Sequence, residues 1–399
     1  MHRFRQDSDL LYVCGFPEPD CLAIVTSAHP NHRFVLFVPG KDEKREVWTG
    51  PRAGVEGAVR LYGADAAYPY EELKQRLPEY LENVEELTYP LGRDPELDGI
   101  VLAAIAQLAI RERDGISRPS RILDPRLTLH EMRLYKEASE IEVVRRAVEA
   151  TAHGFRAAAG SIRPGAREHE VRAELEAGFL RLRGVPGFPS IVASGIHATT
   201  LHYEGDDGEL AAGDLLLIDA GAEVDGYTAD VTRTFPVSGK FTDAQLQLYK
   251  AVLQAEEVAI QAVGPGVTLN EVHTAAVQAL TASLVELGLI PEPFEDALAE
   301  HRYARFFMHR TSHWLGLDTH DVGSLLRGGK ERPLEPGMLL TVEPGLYIPA
   351  SDDVPMPYRG NGIRIEDDVL VTETGCEVLT AAIPKQPSEV ERLVGTPTG

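Results

Sequence analysis

One hairpin constrains this chain more than any other stretch: Leu215-Leu-Leu-Ile-Asp219-Ala-Gly-Ala-Glu-Val-Asp225-Gly226-Tyr-Thr-Ala-Asp230-Val-Thr-Arg-Thr-Phe235. An Asp-Gly pair between apolar and β-branched runs predicts a two-residue hairpin loop. With Asp225 and Gly226 as the loop, Asp219 faces Thr232 across the ladder. Asp230 is then a diagonal neighbour of Asp219 on the same face, and diagonal Cβ atoms lie about 7–8 Å apart. That spacing suits two carboxylates gripping a pair of metal ions about 3.5–4 Å apart. Asp219 ends an apolar run, so its charge leaves a buried strand, and a buried carboxylate needs a partner or a metal.

The composition allows two domains. The chain has 399 residues, 43% of them hydrophobic, enough for two separate cores. A formal net charge of −23 leaves no basic surplus to neutralise phosphates and argues against a nucleic-acid partner; the acidity reads as a solubility device. Cys14, Cys21 and Cys376 are few and odd in number, as expected of plain thiols in a reducing compartment. Pro17, Glu18, Pro19 and Asp20 break the apolar stretch near the start, so neither a signal peptide nor a membrane span is expected, and the cytoplasm follows by default.

Residues 1–127 read as a small α/β domain and 128–399 as a larger one. In the first, 21–27 and 33–39 are strand-like around the Ala28-His-Pro-Asn31 turn signal, 69–84 and 95–114 carry helical periodicity, and 118–127 is the expected link. In the second, Ser139-Glu-Ile-Glu142, Thr242-Asp-Ala-Gln245 and Thr268-Leu-Asn-Glu271 are capping-box patterns opening helices over 141–159, 243–263 and up to 287, with another over 168–183. Pro164-Gly165-Ala-Arg-Glu-His-Glu170-Val171 matches Pro265-Gly266-Val-Thr-Leu-Asn-Glu271-Val272. Each is flanked by helix, Pro-Gly turn, helix and then strands. The expected fold class is therefore α/β, its larger domain built from two pseudo-symmetric α-α-β halves with a cleft between their sheets.

Three further candidate ligands join the aspartates: His313 in Phe306-Phe-Met-His309-Arg-Thr-Ser-His313-Trp-Leu-Gly316, and two carboxylates that again follow apolar strands, Glu343 after Met338-Leu-Leu-Thr-Val342 and Glu366 in Gly362-Ile-Arg364-Ile-Glu366-Asp-Asp368. Arg364 and Glu366 share one strand face, Ile363 and Ile365 the other. Singly, a strand-end Glu is a surface charge, a lone His a hydrogen-bonded core residue, and Arg364/Glu366 a structural ion pair. Together, four strand-borne carboxylates and one imidazole suit hard or borderline divalent ions, Mn²⁺, Co²⁺ or Zn²⁺. No cysteine spacing exists for a structural zinc site.

The larger domain resembles the pita-bread metallopeptidases, and within them the bacterial aminopeptidase P (Xaa-Pro aminopeptidase) family. The resemblance rests on Leu201-His202-Tyr203, Ile218-Asp-Ala-Gly221, Asp230-Val-Thr-Arg-Thr-Phe-Pro236, Gly239-Lys-Phe241, His313-Trp-Leu-Gly316, His320-Asp-Val-Gly323, Leu334-Glu-Pro-Gly-Met338, Thr341-Val-Glu-Pro-Gly-Leu-Tyr347 and Gly362-Ile-Arg-Ile-Glu-Asp-Asp368, over roughly residues 130–385. The start, with Arg5-Gln-Asp-Ser-Asp9 and Gly15-Phe16, resembles the family's N-terminal domain.

The resemblance implies two divalent ions per subunit, manganese first. Asp219 would chelate one, Asp230 and Glu366 would bridge both, and His313 and Glu343 would complete the other's shell. His202, His309 and His320 would line the substrate site, with Tyr347 at its rim and Arg364 beside the bridging glutamate. The implied reaction is attack by a metal-activated water on the carbonyl before proline. His309 or His320 would steady the oxyanion and Glu343 would shuttle the proton. Implied partners are peptides with proline second, and implied assembly is a homo-dimer or homo-tetramer. Two departures stand out: Arg310 follows His309 where the family commonly has glycine, and the chain begins almost inside the N-terminal motif, which reads as a short start. The rivals are a prolidase on the same ligands, a creatinase-like enzyme without metals, and a non-catalytic binding module. Intact ligands speak against the last two.

Overall fold

Asp225 and Gly226 both adopt left-handed backbone, φ 49° and 90°, so the loop between the two aspartates is the tight turn that the right-handed strand twist favours. The ladder that follows pairs Tyr227 with Val224 and, further along, Thr232 with Asp219. The register is the one the sequence dictates. This computed structural model describes residues 4–396; residues 1–3, on which the reading of a short start turns, lie outside the described residues. The chain divides into two compact units, Met1–Glu131 and Met132–Gly399.

In the first unit the strand Phe34–Val38 pairs antiparallel with Leu22–Val25 and parallel with Ala66–Pro69. Val35 and Phe37 face the helices Leu73–Leu81 and Pro95–Ile110, while Leu36 and Val38 pack with Phe16 and Ala58 on the opposite side. Strand alternation thus serves two layers at once. Asp94 caps the second of those helices, whose first residue is Pro95. The expected link at 118–127 is not all loop. Arg121–Leu123, a short β-forming run between Pro119 and Pro125, pairs parallel with Glu86–Thr88.

The second unit carries the repeat. Helices Ala138–Ser161 and Glu168–Arg181 pack as one pair, Asp243–Ala262 and Leu269–Glu286 as the other. Gly165 and Gly266 take φ 82° and 89° at the two Pro-Gly turns, a conformation that L side chains resist. Their amides donate to the carbonyls of Leu210 and Leu334, and the amides of those leucines donate back to Ala166 and Val267. The same turn is therefore tied to the same place in each half. Three strands follow each pair of helices in the chain and form one sheet: Val231–Pro236, Leu215–Ala220 and Ile191–Ser194 in one half, and Leu339–Val342, Asp367–Val371 and Cys376–Val378 in the other.

Thr242 and Thr268 cap their helices with Gln245 and Glu271 as expected. The first helix differs. Its box is Glu137 with Glu140, and Ser139 falls inside the first turn. The Glu140 carboxylate accepts the Glu137 amide at 2.8 Å, so the helix starts two residues earlier than the Ser-x-x-Glu pattern suggests. No helix among the described residues is long and apolar enough to cross a membrane.

Candidate metal centre

The two half-sheets meet at Thr232. It lies opposite Asp219 in one ladder and forms an isolated bridge with Glu366. Opposite residues project to the same face, so Asp219, Thr232 and Glu366 stand in a row, with Asp230 two residues along. Glu343 enters from the end of Leu339–Val342, its amide bonded to the Thr311 carbonyl at 2.8 Å. The 306–316 segment runs beside that strand. Thr341 N donates to His313 O, and Trp314 bridges Leu340. His313 Nδ1 lies 2.9 Å from the Trp314 carbonyl, which fixes the tautomer and turns Nε2 inward, 3.5 Å from Asp230 Oδ2 and 3.8 Å from Glu343 Oε1. One ligand atom each from Asp230, His313 and Glu366 falls within 4.8 Å of the others.

These groups floor an open cavity of about 850 Å³ that His202, His309 and His320 also line. Its walls include Phe188, Pro189, Ile191 and Leu201. Burial, followed by repulsion from Asp219 and the other carboxylates, pushes Asp230 well up, and burial with repulsion from Asp230 and Glu343 does the same to Glu366. Burial lifts Glu343 to about 7. Packing four carboxylates together is costly without a compensating positive charge. Among the described residues no group hydrogen-bonds the buried Asp219 Oδ1, although Oδ2 accepts from Arg364 at 2.5 Å. Oxygen-rich donors, one inward imidazole nitrogen and an orphaned carboxylate oxygen together fit divalent cations of the borderline class.

Two expected placements change. Tyr347 is not at the rim. It is 2% exposed and sits beneath the cavity, its hydroxyl 2.8 Å from both His309 Nε2 and Arg364 Nη1. Arg364 does not pair directly with Glu366. Two residues apart on one strand, their side chains run side by side, whereas Asp219 across the sheet is within reach. Arg364 Nε instead donates to Thr232 Oγ1 at 3.1 Å, and that hydroxyl reaches Glu366 Oε2 at 2.6 Å. Arg310 is exposed at the cavity mouth and turns its guanidinium to Asn270 Oδ1 at 3.2 Å.

Sequence reasoning overlooked the supports. Asp368, buried, accepts the amide of Asp230 at 3.2 Å. Arg233, fully buried, donates to the carbonyls of Thr232 and Glu366 and to Asp367 Oδ1, and Lys385 bridges Asp367 to Glu256. Charged residues inside apolar strand motifs were the available signal, since such charges survive burial only when paired.

Fold and centre together define a metallopeptidase built on a duplicated α-α-β scaffold. The model of metallopeptidase family M24 matches residues 142–373, and that of the aminopeptidase P N-terminal domain matches residues 1–89. The chain belongs to metallopeptidase family M24. It is 41% identical to the Xaa-Pro aminopeptidase of Escherichia coli over 98% of this chain and 89% of that one. Among solved structures, the aminopeptidase PepP of Pseudomonas aeruginosa superposes with a TM-score of 0.95 at 43% identity, covering 98% of this chain and 89% of that chain. Zinc-substituted E. coli aminopeptidase P in complex with product gives 0.93 at 41%, with the same coverage.

Proposed function

We propose that this chain is a dinuclear-metal aminopeptidase that hydrolyses the bond between an N-terminal residue and a following proline. The observation that carries the reading is the convergence of Asp219, Asp230, Glu343, Glu366 and His313 on one cavity floor with a buried carboxylate oxygen left unpartnered. Asp219 would hold one ion, His313 and Glu343 the other, with Asp230 and Glu366 shared, and manganese is the first candidate. When bound, such ions lower the pKa of water and polarise a carbonyl.

The protein's own groups divide the remaining work. Asp368 fixes the Asp230 backbone, while Arg364 and Thr232 orient Asp219 and Glu366. Both ring nitrogens of His309 are engaged, by the Arg310 carbonyl and the Tyr347 hydroxyl, and burial holds its pKa down to about 4, so it is neutral. His320 and His202, which line the cavity, are then better placed than His309 to donate to a developing oxyanion. Glu343, its Oε2 3.7 Å from His309 Nδ1, is the candidate to carry the proton. A dimer or tetramer in the cytoplasm completes the reading.

The test is hydrolysis of Xaa-Pro-Xaa tripeptides and Xaa-Pro dipeptides after chelation and reloading with Mn²⁺, Co²⁺ or Zn²⁺. Metal-dependent release of the first residue from tripeptides is expected. Cleavage of dipeptides alone would make the chain a prolidase.

A further inference from the structure

His202 stands on a long segment without a ladder. Between the strand Ile191–Ser194 and the isolated bridge at Glu209 the backbone runs through one 3₁₀ turn and then loop. Among the described residues none hydrogen-bonds the His202 ring, so its position is that of the loop.

The loop closes on a single carboxylate. Glu168, first residue of Glu168–Arg181, is wholly buried. It accepts from Ser194 N at 2.7 Å, Ser194 Oγ at 2.8 Å, Tyr203 OH at 3.1 Å and Gly208 N at 2.9 Å, and His197 Nδ1 lies 2.9 Å away. These partners sample both ends of the segment and the residue next to His202. The His197 and Tyr203 rings stack at 4.5 Å, and a Cβ on Gly208 would sit 2.6 Å from the carboxylate, so the loop is wrapped tightly around it.

The internal repeat shows that the scaffold does not need this acid. The position matching Glu168 in the second Pro-Gly turn is Leu269, also the first residue of its helix and packed against apolar neighbours. The helix starts equally well on a leucine. The carboxylate occurs only in the half that carries the His202 loop. Burying it uncompensated would be costly, and it is retained with its hydrogen-bonding capacity filled.

We propose that Glu168 is a positioning residue for the peptidase reaction, its carboxylate stapling residues 194–208 so that His202 faces the bound peptide. The role rests on the peptidase reading above, in which His202 contacts substrate. An amide in place of the carboxylate turns an N–H toward donors that need an acceptor. Small misplacements of a substrate-positioning group carry large penalties in rate.

The experiment is a double-mutant cycle of Glu168→Gln with His202→Ala, read as kcat/KM on a Xaa-Pro-Xaa tripeptide, with bound metal counted and amide exchange followed across 194–208. With His202 present, Glu168→Gln should lower kcat/KM by roughly tenfold or more, chiefly through kcat, as misplacing an oxyanion donor requires. With His202 already removed, the loss should shrink to about twofold or less. Metal content should hold, exchange in the loop should rise, and Glu168→Asp should recover part of the loss. Equal losses in both backgrounds, or unchanged loop exchange, would overturn the proposal. Should Glu168→Gln not fold, Tyr203→Phe, which removes one donor, enters the same cycle with an expected loss of about threefold. A wild-type protein that cleaves no Xaa-Pro peptide would defeat the peptidase reading instead, while loop exchange in the variant would still decide the staple.

Discussion

The Thr232 hydroxyl reaches Glu366 Oε2 at 2.6 Å from the strand position that faces Asp219 on the other side. One short side chain thus ties the Glu366 carboxylate of one half-sheet to a strand of the other, and it also accepts from Arg364, which holds Asp219. Thr232→Val keeps the shape and deletes that link. Loss of such a support should weaken metal binding about 10- to 100-fold, read by calorimetric titration of chelator-stripped protein. An affinity within about twofold of wild type would show that the hydroxyl orients nothing.

The hairpin register admits no slack. Inserting one residue beside Gly226 would move one of the two aspartates to the opposite sheet face. The variant should lose dinuclear binding, counted as metal per subunit by mass spectrometry. Two ions retained per subunit would mean that the turn does not set the geometry.

Gly221 sets the approach of the same two strands. A Cβ there would lie 1.6 Å from the Ala229 carbonyl oxygen, beside the Asp230 amide. Gly221→Ala should cost about 3 kcal/mol or more of folding stability, since backbone rather than a flexible side chain has to yield. Urea denaturation measures this, and a cost below about 1 kcal/mol would show that the ladder can open there.

Acid–base linkage gives a further expectation. In the metal-free protein Glu343 lies above its ordinary 4.5, at about 7, and Asp230 and Glu366 are raised too. The folded state therefore holds protons that the unfolded chain has released. For Glu343 that contribution is fully present below about pH 4.5 and is lost as pH rises through about 7, and the raised Asp230 and Glu366 act in the same direction. Ions compete with those protons, so the rise in Tm on adding Mn²⁺ should be larger at about pH 7.5 than at about pH 5. Thermal unfolding with and without chelator checks it, and an equal or larger rise at the lower pH would speak against cation binding by these carboxylates.

Much of this site was legible because its key geometry is local. Asp225-Gly226 fixes which residues face each other from a few neighbouring side chains, and Thr242 and Thr268 announce their helices within one turn. The rest was not, because it depends on partners far along the chain. Glu168 is one of several acids at helix starts in the sequence, and only the folded loop brings Ser194, Tyr203 and Gly208 to it. The rim position that the resemblance implies for Tyr347 gives way to a buried one, because its hydroxyl is bonded between His309 and Arg364. Glu137 took the cap expected of Ser139, a choice between two local patterns that sequence alone leaves balanced.

The bond between Thr232 and Glu366 spans 134 residues. Contacts of that separation form late, after the loop entropy between them has been met. Half of the centre's carboxylates belong to the first repeat and half to the second, so neither half can assemble the site by itself. The chain emerges from the ribosome as a harmless polypeptide, and its capacity to cut other peptides arrives only with the last strands of its own fold.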